Sequence, residues 1–323
     1  MLALAHERYG PPADALRLRE ADAPVPGEGE VLLRVRAASA NPLDWHLVRG
    51  EPALVRLIAG LRGPKEWQTG ADAAGVVEAV GAGVTTLAPG DEVFGTAEGS
   101  FAELARAKVD RLAAKPAGVS FEQAAALPVA GCTALQALRD HGELASGQRV
   151  LIIGAAGGVG SLAVQIARAM GGAVTGVCST ANLDFVGSLG AERVVDYTRE
   201  DVTARPERYD LVVQLAGTAS LKELRSVLAP GGTIVLAGGG TGRDGSGGVL
   251  GPLTRMAVAR VSRSRVRTFI AKIRSADLEA LAALVEEGSV TPAITRTFPL
   301  ADVASALAEI ESGHARGKLV IAI

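Results

Sequence analysis

At 323 residues, 48% hydrophobic and 21% charged, the chain is long enough for two domains and apolar enough to bury a core in each, which sets aside a disordered chain. Lys plus Arg (33) nearly balances Asp plus Glu (35), and the net charge of −2 excludes the basic field of a general nucleic-acid binder. Two cysteines, Cys132 and Cys178, exclude a disulfide framework. No apolar run of about 18 residues suggests a spanning helix, and His6, Glu7 and Arg8 do not read as a secretory leader, so a reducing, cytoplasmic setting is expected. Glycine is abundant, at 40 residues without a Gly-x-y period, which points to turns and close backbone approaches.

Taken in chain order, residues 1 to about 118 read as β-rich. A Pro/Gly turn (Pro24, Pro26, Gly27, Gly29) leads into a strand at Glu30–Ala37; Ala74–Gly81 is a second, and Pro89-Gly90-Asp91 turns into a third. Such spacing predicts an antiparallel barrel. The pattern changes near residue 119, where Ser120 and Gln123 fit a capping box opening a helix. Strands at Arg149–Gly154, Ala173–Val177, Arg193–Asp196, Asp210–Leu215 and Thr233–Ala237 then alternate with helices at Gly160–Met170, Leu183–Leu189 and Leu221–Leu228. That alternation predicts a parallel sheet covered on both faces, hence an α/β protein. A Gly-rich loop (Thr241–Gly251) and a basic segment with Arg255, Arg260, Arg263, Arg265 and Arg267 follow. A late strand at Val266–Ala271, helices at Asp277–Glu287 and Leu300–Ser312, and a last strand at Lys318–Ile323 complete the chain.

The most specific local signal is Gly154-Ala155-Ala156-Gly157-Gly158-Val159-Gly160, set between a predicted strand and a predicted helix. That context is the one a dinucleotide fingerprint requires. Ala155 stands in for the first glycine, Gly157 lets the backbone approach a pyrophosphate, and Gly160 permits close helix–strand packing. The helix N-terminus offers its N–H groups and positive dipole end to the phosphates. About 20 residues further on, where NAD-selective proteins carry an acid, this chain has Cys178-Ser179-Thr180-Ala181-Asn182. The neutral donors Ser179, Thr180 and Asn182 tolerate a 2′-phosphate, so NADP is favoured over NAD. No Lys or Arg lies between Gly171 and Glu192 to pair with that phosphate.

Six stretches in order carry a resemblance that spans nearly the whole chain. They are Ala40-Asn41-Pro42-Leu43-Asp44-Trp45, Pro89–Gly95, Ala124–Ala134 with Leu127-Pro128 and Gly131-Cys132-Thr133, the Gly-rich turn, Val195-Asp196-Tyr197, and Gly313–Lys318. The chain resembles the medium-chain dehydrogenases/reductases of the zinc-independent quinone oxidoreductase branch. That resemblance implies a GroES-like β-barrel catalytic domain over 1–120, completed by 266–323, and a doubly wound Rossmann NADP-binding domain over 121–265. It implies hydride transfer from NADPH to an enone, enoyl or quinone acceptor, a small molecule. The alternatives are a dedicated tailoring reductase or alcohol dehydrogenase-like enzyme, or a catalytically silent nucleotide-binding protein.

The resemblance also assigns residues. Asn41 matches an Asn beside the nicotinamide, and Thr133 a Thr near the nicotinamide-side ribose and phosphate. Ala156, Gly157, Gly158, Val159 and Gly160 form the phosphate turn. Ser179, Thr180, Asn182 and Tyr197 lie toward the 2′-phosphate, and Ala181 stands where close relatives carry Arg or Lys. Leu215, Ala216 and Gly217, then Ala237, Gly238 and Gly239, end two strands bordering the cofactor, and Arg316 and Lys318 belong to the terminal Gly-Lys motif. His46, with Asn41, is the catalytic candidate: its pKa range suits proton donation, and the alternative is a residue that lines the cleft. Trp45 is read as packing and Asp44 as an acid with a structural partner. No zinc is expected, because Asn41 stands where the first catalytic Cys would be and Cys132, Cys178, His6, His46, His141 and His314 show no ligand spacing. The late strand, at a sheet edge in the resembling family, suggests a two-fold homodimer paired through it.

Overall fold

The computed structural model describes residues 1–53, 55–65, 68–237 and 265–323. They form two compact units: Met1–Cys132 with Ile273–Glu286 and Pro292–Ile323, and Thr133–Lys272 with Glu287–Thr291. In chain order the elements are β1 (Leu2–His6), α1 (Pro12–Ala15), β2 (Leu16–Glu20), β3 (Glu30–Ala40), α2 (Pro42–Arg49), α3 (Val55–Ala59), β4 (Asp72–Val80), β5 (Glu92–Thr96), β6 (Leu104–Lys108) and β7 (Leu112–Ala114). Then come α4 (Phe121–Ala125), α5 (Pro128–Gln136), β8 (Arg149–Ile153), α6 (Gly158–Ala169), β9 (Ala173–Cys178), α7 (Leu183–Ser188), β10 (Arg193–Asp196), β11 (Tyr209–Gln214), α8 (Leu221–Ser226) and β12 (Leu228–Leu236). The described chain closes with β13 (Arg265–Thr268), α9 (Ser275–Glu286), β14 (Ile294–Pro299), α10 (Val303–Glu311) and β15 (Lys318–Ala322).

The first unit is organised by β3. One of its edges pairs with β4; the other pairs with β6 along Glu30–Arg34 and with β15 along Ala37–Ala40. The seven-stranded sheet runs β14-β15-β3-β4-β5-β7, with β6 off that path. All its pairings are antiparallel except β14 with β15, which is parallel and departs from the wholly antiparallel expectation. A register shift between Val35 and Ala37 bends β3, and its buried residues divide there. Val31, Leu33 and Val35 pack with Ala73, Val77 and Val93, whereas Ala38 and Ala40 pack with Val48, Phe101, Val303 and Leu319. The capping box forms as expected: Ser120 Oγ accepts from the Gln123 N–H at 3.2 Å and Gln123 Oε1 from the Ser120 N–H at 2.9 Å.

The second unit is a six-stranded parallel sheet in the order β10-β9-β8-β11-β12-β13. Numbered within the unit this is 3-2-1-4-5-6, the dinucleotide-binding order, whose topological switch lies between β8 and β11. Leu151, Val177, Val195, Val212, Ile234 and Val266 fill its core.

The units divide later than the sequence reading placed the boundaries. Residues 121–132 belong with the first unit, and 266–272 with the second. The second shift has a plain cause. β13 is hydrogen-bonded into the parallel sheet beside β12, and Gln136 clamps Lys272, with Nε2 donating to its carbonyl at 2.6 Å and Oε1 accepting its N–H at 3.1 Å. No helix among the described residues is long and apolar enough to cross a membrane.

Candidate active site

In the second unit the strand β8 ends at Ile153 and the chain turns through Gly154 into α6. Gly154 has φ +91°, and a Cβ there would sit 2.8 Å from the Ala216 Cβ. The tight-turn role therefore falls on Gly154, one residue before the buried Ala155 to which the sequence reading gave the first-glycine place. Gly157 is the N-cap of α6 and brings no side chain to its N–H groups. Among the described residues, and apart from its own chain neighbours, a Cβ at Gly157 would meet nothing nearer than the Gly154 carbonyl oxygen at 3.7 Å, which leaves room before the helix. Gly160 is the opposite case: a Cβ there would lie 2.0 Å from the Gly154 carbonyl oxygen, so its role is to let the helix close onto the turn. Ala156, Gly158 and Val159 complete a turn that fits a pyrophosphate.

The ends of neighbouring strands carry the other residues of this unit. Leu215 and Ala216 donate backbone N–H groups to the Ile153 carbonyl at 3.0 and 3.3 Å, which sets the β11 end beside the Gly-rich turn. Gly217 follows with φ +85°. Ala237, after β12, donates to the Gln214 carbonyl at 3.1 Å. Gly238 and Gly239 lie outside the described residues, as do Arg255, Arg260 and Arg263 of the basic segment. Thr133 lies on α5. On the far side of β8, Asn182 Nδ2 donates to Ser179 Oγ at 3.1 Å. Thr180 donates its hydroxyl to Asp196, and the Tyr197 side chain is 62% exposed just beyond it. Thr180 is thus engaged by a carboxylate, a partner the sequence reading did not foresee.

The first unit holds a buried polar network around Asn41, which caps the start of α2. Its Oδ1 accepts from the Lys318 ammonium at 2.7 Å, and its Nδ2 donates to Asp72 Oδ2 at 2.9 Å and to the Ser39 carbonyl at 3.4 Å. Asp72 also accepts from the Ser39 hydroxyl at 2.7 Å and, through Oδ1, from the Val129 N–H in the first turn of α5 at 2.9 Å. Lys318 pairs with Asp72 at 3.3 Å and reaches the Ala40 carbonyl at 3.4 Å. Asn41, Asp72 and Lys318 are each no more than 4% exposed. The structure therefore joins two expected residues, Asn41 and Lys318, through one that sequence reading missed, Asp72. The exposed Arg316 stays at the surface, where its carbonyl accepts from Thr295 Oγ1.

Asp44, at the third position of α2, accepts the Asn41 N–H at 2.7 Å, the structural partner expected for it. Burial, with Asp72 nearby, pushes its carboxyl up to about 7 against the opposing pull of the Asn41 hydrogen bond and Lys318. His46 lies two residues along the same helix, stacked on Trp45 at 3.6 Å between ring centroids, and Trp45 itself packs on the core. His46 Nδ1 is 2.7 Å from the Glu51 carbonyl oxygen. A carbonyl only accepts, so Nδ1 carries the proton and Nε2 of the neutral ring is an acceptor. Burial holds the His46 imidazolium pKa below its usual value, which favours that neutral form.

The alcohol dehydrogenase GroES-like domain model matches residues 27–136, and a model described as zinc-binding dehydrogenase matches residues 189–321. The chain is 32% identical to the chloroplast envelope quinone oxidoreductase homolog of Arabidopsis thaliana, over 99% of this chain and 98% of that protein. It is 33% identical to the chloroplastic NADPH-dependent alkenal/one oxidoreductase of the same plant, over 99% of this chain and 79% of that one. The quinone oxidoreductase from Coxiella burnetii superposes with a TM-score of 0.87 at 32% identity, covering 100% of this chain and 99% of that one. The residues around Asn41 do not fit a zinc ion. The oxygens there, from the Asn41 amide, the Asp72 carboxylate and the Ala40 carbonyl, are already gathered on the Lys318 ammonium, and among the described residues no group of three His, Cys, Asp or Glu is placed to hold a metal.

Proposed function

Because the chain belongs to the quinone oxidoreductase branch of the medium-chain dehydrogenase/reductase family, we propose that it is an NADPH-dependent, zinc-independent reductase of quinones or of carbon–carbon double bonds conjugated to a carbonyl. The observation that carries this reading is the open turn at Gly157, heading α6 inside a sheet of dinucleotide-binding order. When bound, NADPH supplies a hydride from C4 of its nicotinamide. The bare Gly157 and the first N–H groups of α6 hold the pyrophosphate, and the ends of β8 and β11 flank it. Lys318 and Asp72 fix the carboxamide plane of Asn41, which would present a pre-set amide to a ligand reaching that network.

At an enone, addition of hydride to the β-carbon would move the carbon–carbon π pair toward the carbonyl oxygen as an enolate, and a proton must then reach the α-carbon. His46 in its neutral form offers an acceptor at Nε2, so it serves by holding a water or substrate hydroxyl, and the proton comes from water. The test is an acceptor screen followed at the NADPH absorbance with simple enones and quinones. Turnover of either class supports the proposal. Tight NADPH binding without turnover of any acceptor in those classes overturns it in favour of a silent nucleotide-binding protein.

A further inference from the structure

The nucleotide-binding turn leaves one chemical need unmet. A 2′-phosphate seeks a guanidinium or ammonium, yet residues 171–192, which carry β9 and the loop after it, contain neither Lys nor Arg. The structure brings a cation to that loop from the following crossover. Asp196 ends β10 and pairs in register with Cys178, the end of β9. Its carboxylate ties the two loops together: Oδ2 accepts from Thr180 Oγ1, while Oδ1 accepts from the Thr198 N–H at 2.9 Å and the Thr198 hydroxyl at 2.7 Å. Arg199 Nε lies 3.8 Å from that same Oδ2.

The neighbouring arginines are engaged elsewhere. Arg193 donates to Glu207, Arg205 pairs with Glu200 at 2.8 Å, and Arg208 donates to the carbonyls of Arg205, Pro206 and Glu207. Arg199 differs from all three. Its contact with Asp196 is longer than a hydrogen bond, and its side chain is 75% exposed, beside the exposed Tyr197. Asp196 brings a negative charge to the same place, but the Thr180 and Thr198 donors occupy its oxygens, and it keeps Arg199 near the loop.

We propose that Arg199 is the residue that distinguishes NADPH from NADH in this chain, its guanidinium pairing with the 2′-phosphate over the Ser179–Thr180 loop; this rests on the reading of the chain as an NADPH enzyme. Ala181, where a cation is missing, is then compensated from 18 residues downstream. Calorimetry on the full chain with NADPH and with NADH, for wild type, Arg199→Ala and Arg199→Lys, tests it. Removing one charge-assisted contact lowers NADPH affinity by about tenfold or more, leaves NADH affinity unchanged, and Arg199→Lys recovers part of the loss. A wild type that binds NADPH, with the same NADPH-to-NADH ratio in Arg199→Ala, overturns the assignment of Arg199 alone. A wild type that binds neither nucleotide overturns the parent reading and this one with it.

Discussion

Gly157 and Gly160 stand three residues apart and should fail differently when given a side chain. Gly157 has φ −77° and ψ 177°, a conformation open to any residue, and among the described residues its Cβ position meets only the Gly154 carbonyl oxygen, at an ordinary 3.7 Å. Gly157→Val is therefore expected to melt like wild type but to bind NADPH at least tenfold more weakly, which calorimetry checks. Gly160→Val drives a Cβ into the Gly154 carbonyl and should lower the melting temperature whether or not nucleotide is present. Asp44 makes a second prediction at this scale. Its folded pKa of about 7 stands above the ordinary carboxylate value, so its neutral form is favoured in the fold. Stability is fully present below the unfolded pKa of about 4 and is lost as pH rises through 7. His46, with its folded pKa lowered, acts in the opposite sense, losing stability as pH falls through the ordinary histidine value. Asp72 and Lys318 act on Asp44 as well, so the comparison is with Asp44→Asn: urea unfolding from pH 5 to 8 should show wild type losing stability relative to that variant. The glycines of the turn were legible because their motif is local. Asp72 was not, because its partners Asn41, Val129 and Lys318 lie 31, 57 and 246 residues away and no spacing rule connects them.

At the scale of elements, the pair Asp72–Lys318 joins the first residue of β4 to the first residue of β15. Lys318→Met leaves the Asp72 carboxylate buried without its cation, a loss of about 3–5 kcal/mol. Adding Asp72→Asn keeps an acceptor for the Val129 N–H and removes the stranded charge, so the double variant should be more stable than Lys318→Met alone. Denaturant melts of the three proteins check this, and a double variant less stable than the single would mean the carboxylate is needed for a reason other than Lys318. β13 ends at Thr268, three residues before the expected Ala271, but from β8 to α8 the strands and helices of the second unit were readable within two residues, because each is a short run bounded by turn residues. β12 was not: it begins at Leu228, through Pro230-Gly231-Gly232, where turn chemistry hides a strand that pairs with β11 on both sides of a register shift. The parallel β14–β15 pairing was equally hidden, since strand direction depends on topology and leaves no mark in a short sequence window.

At the scale of the molecule, β13 is the last strand of its sheet among the described residues, and Ile270 just beyond it is 92% exposed. Phe269 is partly accounted for within the chain, its ring stacked on His141 at 4.1 Å between centroids. We expect the edge to pair with its own copy across a two-fold axis, giving a homodimer. Light scattering at micromolar concentration checks it. A mass near twice 32.9 kDa is the expected result, and Thr268→Pro, which removes a backbone donor, should shift it toward the monomer. The two-domain plan was legible from the switch between strand periodicity and strand–helix alternation. The true boundaries were not, because they depend on which residues the sheet recruits from the far end of the chain.

That recruitment has a consequence for the order in which the molecule is made. All six described strands of the second unit have been synthesised by Thr268, so its sheet can form while translation continues. The first unit cannot close so early: along Ala37–Ala40, one edge of β3 has no partner until Leu319–Ala322 emerges. For most of the chain's synthesis the earlier domain is the unfinished one, exposing an open strand edge that invites a wrong partner. A chaperone that shields nascent strand edges should gain most by holding the N-terminal domain, and slowing translation after residue 268 should prolong its vulnerability.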